Sequence, residues 1–218
     1  MSTKLEVGNI FSTAWKAVKS QIWVLAGIMI AYLILNFTIS TLYSSLFTGD
    51  ITVLGVSAYI VNIIISSIFG LGYTKNLFQA LDDIEPQISA YSTQARKLLT
   101  YLGAGIIYGV IVCIGCVFLI LPGIYLALRL QYYMALIVEE DAGVIESLKK
   151  SWEITEGHMG FLILLFLANI GIIFLGILLL FLGLFVAMPI VYMMYCASYR
   201  LLNPMKSAVE EVEEVAVG

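Results

Sequence analysis

The chain has 218 residues, of which 61% are hydrophobic and 12% charged, with a net charge of −4 and a mean hydropathy of +0.99. Soluble domains carry about 25% charged residues and about 45–50% apolar ones, so this composition excludes an ordinary soluble protein. The charges are placed so unevenly along the chain that the net charge says little about partners.

The first stretch, residues 6–20, has apolar side chains at helical spacing and places Lys16 and Lys19 on the opposite side. This pattern predicts an amphipathic helix that lies in the membrane interface. Residues 84–96 and 142–156 predict two further interfacial helices. Each of these stretches precedes a pair of long apolar segments.

The apolar segments are the main feature of the chain, because a helix needs about 20 apolar residues to cross a bilayer. We predict six spans, at about 22–47, 51–78, 98–121, 124–138, 159–180 and 184–202. The fourth is short, which indicates a tilted span or one that its neighbours shelter. The predicted fold is therefore all-α: a polytopic membrane bundle of six transmembrane helices in three hairpins over residues 1–203, followed by an acidic tail at 204–218.

The basic residues predict the orientation of the bundle. Six spans place the N-terminus, residues 79–97, residues 139–157 and the C-terminus on one side. Every Lys and Arg except Arg129 lies in or beside these four segments. The positive-inside rule then predicts a multi-pass protein with both termini in the cytoplasm.

A weak internal repeat runs through the three interfacial stretches. Each carries a small residue followed by an aromatic one: Ala14-Trp15, Ala90-Tyr91 and Ser151-Trp152. We expect Trp15, Tyr91 and Trp152 to anchor these helices at the interface, because aromatic side chains concentrate there. The repeat favours three similar hairpins packed around a centre.

Groups for catalysis or metal binding are few. The single His158 is expected to be a fourth interfacial anchor at the start of the fifth span, with a proton-linked role as the alternative. Cys113 and Cys116 match a redox spacing but lie inside the third span, where a thiolate is disfavoured. We therefore expect no catalytic residues, no metal site and no cofactor.

Arg129 lies near the middle of the fourth span. A charge at that depth costs at least about 2.5 kcal/mol and often marks a pathway or a buried partner. No acid occurs at matching depth in another span, so its partners are expected among backbone carbonyls, tyrosines, lipid phosphate, water and the side chains of Asn36, Asn62 and Asn169. Gln131, Tyr132 and Tyr133 beside it add polar atoms. The site is either a structural polar cluster or a binding site for an anion, a lipid headgroup or water.

Three consecutive acids, Glu139, Glu140 and Asp141, end the fourth span. Such a group could bind a cation at the interface. We adopt the commoner interpretation, in which the three acids are exposed to solvent at the end of a helix.

The region from Pro122 to His158 carries a recognisable pattern. Pro122-Gly123 and Arg129 are followed by the three acids and by a stretch that contains Trp152 and Gly157-His158. This pattern resembles that of YciC-type uncharacterised bacterial six-span membrane proteins and of the membrane domain attached to some glycerophosphoryl diester phosphodiesterases. The resemblance implies the six-span fold and an inner-membrane location. It implies no phosphodiesterase activity, because in those enzymes the catalytic barrel is a separate domain.

Three classes of function are weighed on these observations. The first is a non-enzymatic inner-membrane protein that organises the membrane or binds lipids, another membrane protein or a second copy of itself. We expect no nucleic-acid partner. The alternative is a transporter or channel for an anion or small molecule, with a polar cavity that reaches Arg129. A membrane enzyme ranks third, because the residue types that such chemistry needs are missing from the spans.

Overall fold

The computed structural model describes residues 6–46, 53–179 and 183–203, and the predicted tail at 204–218 lies outside these ranges. All regular structure within them is helical. The helices are α1 (Val7–Leu46), α2 (Val53–Leu81), α3 (Ser89–Ala95), α4 (Leu98–Phe118), α5 (Ile120–Leu130), α6 (Tyr133–Glu140), α7 (Val144–Ile154), α8 (Met159–Leu178) and α9 (Leu184–Leu202).

Six segments of the described chain are long and apolar enough to cross a membrane. They are Val7–Tyr43, Tyr59–Leu81, Leu98–Phe118, Ile120–Glu140, Met159–Leu178 and Leu184–Leu202, and the fourth of them comprises both α5 and α6. The prediction of an all-α, six-span membrane bundle is therefore confirmed.

Helix α1 is kinked at Gln21, whose backbone leaves the helical region at φ −127° and ψ 22°. The kink lies between the predicted interfacial stretch at 6–20 and the predicted first span. Before it, Ile10, Ala14 and Val18 are buried, because this part of α1 packs against α9. The apolar face of the first amphipathic stretch is thus covered by protein.

Burial is concentrated at the end of the bundle where the charged residues lie, which we call the charged end. Leu77, Leu136 and Tyr199 are fully buried there. Towards the opposite end large apolar side chains are open, and Phe37 and Phe118 are 74% and 77% exposed. Exposed apolar surface of this extent is typical of a membrane-facing surface.

In two of the hairpins the helices approach each other closely at a glycine. A Cβ on Gly123 would lie 2.1 Å from Cys116 Sγ, so α4 and α5 could not pack as they do with a larger residue. A Cβ on Gly183 would lie 2.8 Å from the Gly176 carbonyl oxygen, between α8 and the start of α9. The chain turns from α4 into α5 at Leu119, whose backbone is extended, and Pro122 lies in the first turn of α5, where proline is tolerated.

Candidate functional site

The fourth membrane-spanning segment is broken in its middle. Helix α5 ends at Leu130 and α6 begins at Tyr133, with Tyr132 at φ −84° and ψ 4°. The break contains neither proline nor glycine. Irregular backbone at membrane depth is tolerated only where its N–H and C=O groups find partners within the protein.

Helix α7 supplies partners on one side of the break. The Ser151 hydroxyl donates a hydrogen bond to the Arg129 carbonyl oxygen (3.0 Å) and accepts one from the Tyr132 amide (3.1 Å). Thr155 Oγ1 lies 3.1 Å from the same carbonyl oxygen. Ser151 and Thr155 are both fully buried, so these bonds lie in a dry setting.

Helix α9 supplies partners on the other side. The Tyr195 hydroxyl donates to the Gln131 carbonyl oxygen (3.1 Å) and accepts from the Ala135 amide (3.2 Å). The hydroxyls of Tyr132 and Ser198 are 2.8 Å apart. Side chains of α7 and α9 thus hold the break in a defined geometry.

Arg129 lies on the α7 side of the break and is only 5% exposed. Its guanidinium carbon is 4.2 Å from the centre of the Trp152 ring, against which the ring of Tyr125 packs edge-on. The Nε of Arg129 is buried and has no hydrogen-bond partner among the described residues. Helix α7 lies outside the six apolar segments, so this contact joins a charge of the fourth span to a ring outside the spans.

A cavity of about 450 Å³ lies next to the break, between α2, α4, α6, α8 and α9. Four tyrosines and three neutral polar residues contribute to its lining: Tyr108, Tyr133, Tyr192, Tyr195, Thr74, Gln131 and Asn169. The other lining side chains are apolar. No charged residue, Arg129 included, is among the described residues that line the cavity.

Asn169 is the polar residue in this cavity whose hydrogen bonding is incomplete. Its Oδ1 is buried and has no partner among the residues that the structure describes. A buried amide oxygen without a partner costs about 1–3 kcal/mol. A ligand that donates a hydrogen bond to this oxygen would remove the cost.

A row of aromatic rings leads from this cavity to a second one. Tyr192 packs edge-on against Tyr73, whose ring stacks on Phe69, and Phe69 stacks on Tyr32 at 3.7 Å. The second cavity, of about 380 Å³, is lined by Tyr32 and Phe69 with Tyr91 and apolar residues of α1 and α2. The central part of the bundle is thus rich in tyrosine and free of charge along this row.

The four predicted polar-site residues lie in three different places. Asn169 lines the large cavity. Arg129 and Tyr132 flank the break, with Arg129 against α7 and Tyr132 bonded to α9. Asn62 donates to Asn36 Oδ1 (3.1 Å) and joins α2 to α1.

Of the cavity tyrosines, Tyr133 is expected from the sequence as a polar neighbour of Arg129, whereas Tyr108, Tyr192 and Tyr195 are not predicted individually. Tyr192 and Tyr195 lie three residues apart in α9, and so occupy neighbouring positions on one helical face. This spacing is the feature of the sequence that could have indicated a tyrosine-lined face of α9.

The predicted interfacial anchors are only partly exposed. Trp15 is 40% exposed and Trp152, beneath Arg129, is 36% exposed. Tyr91 packs against Phe69, and burial raises the pKa of its hydroxyl to about 12. His158 lies at the start of α8, where its amide donates to the Thr155 carbonyl oxygen.

The acids at the charged end form ion pairs with other helices. Glu139, whose side chain is 1% exposed, lies 2.9 Å from Lys75 Nζ and 3.4 Å from Arg200. Glu140 pairs with Lys150 and accepts a hydrogen bond from the Tyr199 hydroxyl (2.6 Å). The prediction of solvated acids is therefore wrong for Glu139.

Asp141 is the exposed member of the three, with 62% of its side chain open. Lys97 Nζ lies 2.8 Å from its carboxylate and also donates to the carbonyl oxygens of Ile137 and Val138 at the end of α6. The hydrogen bond from Lys97 holds the pKa of the Asp141 carboxyl below its ordinary value. Burial lowers the pKa of the Lys97 ammonium.

Comparison with known proteins gave a family. A family model described as "Domain of unknown function (DUF7847)" matches residues 35–217. The uncharacterized protein Rv2560 of Mycobacterium tuberculosis and the uncharacterized protein Mb2590 of Mycobacterium bovis are each 26% identical over 121 residues, which is 56% of this chain. The chain covers 37% of the length of these relatives.

No solved structure matches the chain. The matches give no support to a link with YciC-type proteins or with the phosphodiesterase membrane domain. They do show an uncharacterised family over most of the chain. The protein belongs to the DUF7847 family.

Proposed function

We propose that this protein is a non-enzymatic binding protein of the membrane, and that the cavity beside the broken fourth span holds a lipophilic molecule without negative charge. The observation that carries the proposal is the lining of the cavity: four tyrosines, Gln131 and an Asn169 whose buried Oδ1 finds no partner in the described part of the chain. Ligand sites are mostly apolar and aromatic, with a few polar groups that fix orientation.

The charge of the ligand follows from the lining. Aromatic ring faces carry negative potential and attract cations. No cationic side chain of the described lining would stabilise an anion. A molecule with a cationic group, or with an uncharged donor for Asn169, therefore fits this cavity better than an anion does.

The location and partners of the protein are part of the same proposal. We infer that it resides in the inner membrane with cytoplasmic termini, because the basic residues lie on one side of the bundle. Lipids, another membrane protein or a second copy of the chain are its expected partners. Trp15, before the kink of α1, and Trp152, on α7, are partly exposed, which supports contact with lipid headgroups.

Two probes of matched size and opposite charge test the proposal. Tetraphenylphosphonium is a lipophilic cation, and tetraphenylborate is an anion of nearly the same shape. We expect the purified protein in detergent to bind the cation saturably and the anion only through the micelle, measured by equilibrium dialysis against protein-free micelles. Preferential binding of tetraphenylborate would contradict the proposal.

A matched pair of variants separates ring contacts from non-specific uptake. Tyr192→Leu removes a ring from the cavity lining, and Tyr59→Leu removes one from an exposed position of α2 (69% exposed). We expect Tyr192→Leu to lower the affinity for the cation about fivefold to thirtyfold, as the loss of one or two kcal/mol implies. Tyr59→Leu should leave the affinity unchanged.

Transport is the second candidate, and the break in the fourth span favours it. Broken helices near the membrane middle are a common feature of transporter binding sites. Vesicles that contain the protein and are loaded with ethidium distinguish the two functions. Faster ethidium efflux than from protein-free vesicles indicates transport, and equal efflux indicates binding without transport.

A further inference from the structure

Arg129 differs from the other basic side chains near it. At the charged end Lys75, Arg96, Lys97, Lys150 and Arg200 each form an ion pair with an acid. Arg129 forms none within the described ranges, although it is more buried than most of them. A buried charge without a counter-charge is strongly disfavoured, so this position calls for an anion.

The guanidinium of Arg129 has donor capacity that the described residues do not use. Its carbon lies 4.2 Å from the centre of the Trp152 ring, and its Nε–H is buried without a partner among the described residues. A guanidinium presents its N–H groups in one plane, where they match the oxygens of a phosphate or carboxylate. Contact with the aromatic ring restrains this group, and its unused donor favours an oxyanion.

The surroundings of this site open towards the outside of the bundle. Trp152 and Tyr125 are 36% and 41% exposed. Lys149 is exposed and lies three residues before Trp152 on the same face of α7. Trp152, Tyr125 and Lys149 thus lie on an open surface beside Arg129, which is itself 5% exposed.

We propose that Arg129 and Trp152 form a binding site for a phosphate group, and that the phosphodiester of a membrane phospholipid is its main source. Trp152 belongs to α7, which lies outside the six apolar segments, and its ring is partly exposed, so the phosphate of a lipid beside α7 is the expected ligand. The site is separate from the tyrosine-lined cavity, whose described lining contains neither residue. The two proposals can therefore fail independently.

Fluorescence of Trp152 tests this site directly. In the full chain with Trp15→Phe and Trp23→Phe, Trp152 is the remaining tryptophan. The protein in detergent is titrated with phosphatidylglycerol brominated on its acyl chains, and in parallel with the same brominated diacylglycerol, which lacks phosphate. We expect the phospholipid to quench Trp152 at about tenfold lower concentration, a difference of about 1.4 kcal/mol.

Arg129→Gln should remove the preference for phospholipid, and Lys19→Gln, at an exposed lysine of α1, should keep it. Arg129→Lys retains the charge but lacks the planar guanidinium, and it should weaken the preference several-fold. This variant tests the site if Arg129→Gln fails to fold. Equal quenching by both lipids, or a preference unchanged in both Arg129 variants, would overturn the site.

Soluble phosphates distinguish the source of the ligand. Glycerol 3-phosphate and inorganic phosphate are added at millimolar concentration to the phospholipid-quenched protein. Recovery of fluorescence that depends on Arg129 supports a site that also accepts free phosphate. Quenching that persists supports a site for the phospholipid alone, provided that it depends on Arg129.

Discussion

The hydroxyl of Ser151 lies 3.0 Å from the carbonyl oxygen of Arg129 and ties α7 to the end of α5. The same hydroxyl accepts a hydrogen bond from Tyr132 across the break. One buried side chain therefore satisfies two backbone groups that an unbroken helix would have paired internally. The cavity on one side and Arg129 on the other depend on this geometry.

We expect Ser151→Ala to destabilise the protein by about 1–3 kcal/mol, because it leaves the buried Tyr132 amide without its partner. The measurement is the free energy of unfolding in mixed micelles titrated with sodium dodecyl sulfate. Ser147→Ala is the matched control: Ser147 is also fully buried on α7, but its hydroxyl bonds to Val144 of the same helix. Equal losses in the two variants would contradict a bridging role for Ser151.

Removal of the Tyr195 hydroxyl should loosen the break from the α9 side. In Tyr195→Phe the Gln131 carbonyl oxygen and the Ala135 amide lose their partner, at a cost of about 1–3 kcal/mol. Hydrogen exchange at the Ala135 amide should accelerate. Tyr192→Phe keeps the ring that packs against Tyr73 and serves as the control; exchange at Ala135 that is unchanged in both variants would argue against the bridge.

The acids at the charged end should differ greatly in their effect on stability. Glu139→Gln breaks a buried pair with Lys75 and Arg200 and is expected to cost about 3–5 kcal/mol. Asp141→Asn removes an exposed charge and should cost about 1 kcal/mol or less. Asn also tolerates the left-handed backbone at this position (φ 54°). Similar unfolding free energies for the two variants would show that burial does not determine how much each ion pair contributes to stability.

The contribution of Asp141 should depend on pH in a defined direction. Its pKa is lowered in the folded state by Lys97, so its stabilisation is fully present above the unfolded value of about 3.9. It is lost as the pH falls through the lower folded pKa. The unfolding free energies of wild type and Asp141→Asn should therefore differ by a constant amount at neutral pH and converge in strong acid. A difference that persists undiminished at low pH would rule out the charge as its cause.

The sequence predicted the six spans well because hydropathy is a local property. The kink of α1 likewise lies between the stretch with lysines at helical spacing and the continuous apolar run that follows. The break at Gln131 could not be foreseen, since it contains neither proline nor glycine. Its stability comes from Ser151 and Tyr195, which are 22 and 64 residues from their acceptors at Arg129 and Gln131.

The candidate sites were predictable only in part for the same reason. Arg129 stood out as a charge within a span, but its contact with Trp152 depends on how α7 folds back on α5. Asn169 was visible as a polar residue in an apolar run. The cavity that it lines forms where five helices pack together, and no local sequence pattern predicts this packing.

Tetraphenylphosphonium binding to two tryptophan variants tests most directly whether the cavity is the binding site. Val191→Trp fills the cavity, which Val191 lines, whereas Leu164→Trp adds bulk at an α8 position that is 60% exposed. We expect Val191→Trp to lower the affinity at least about tenfold and Leu164→Trp to bind as the wild type does. Equal affinity in all three proteins would contradict this expectation.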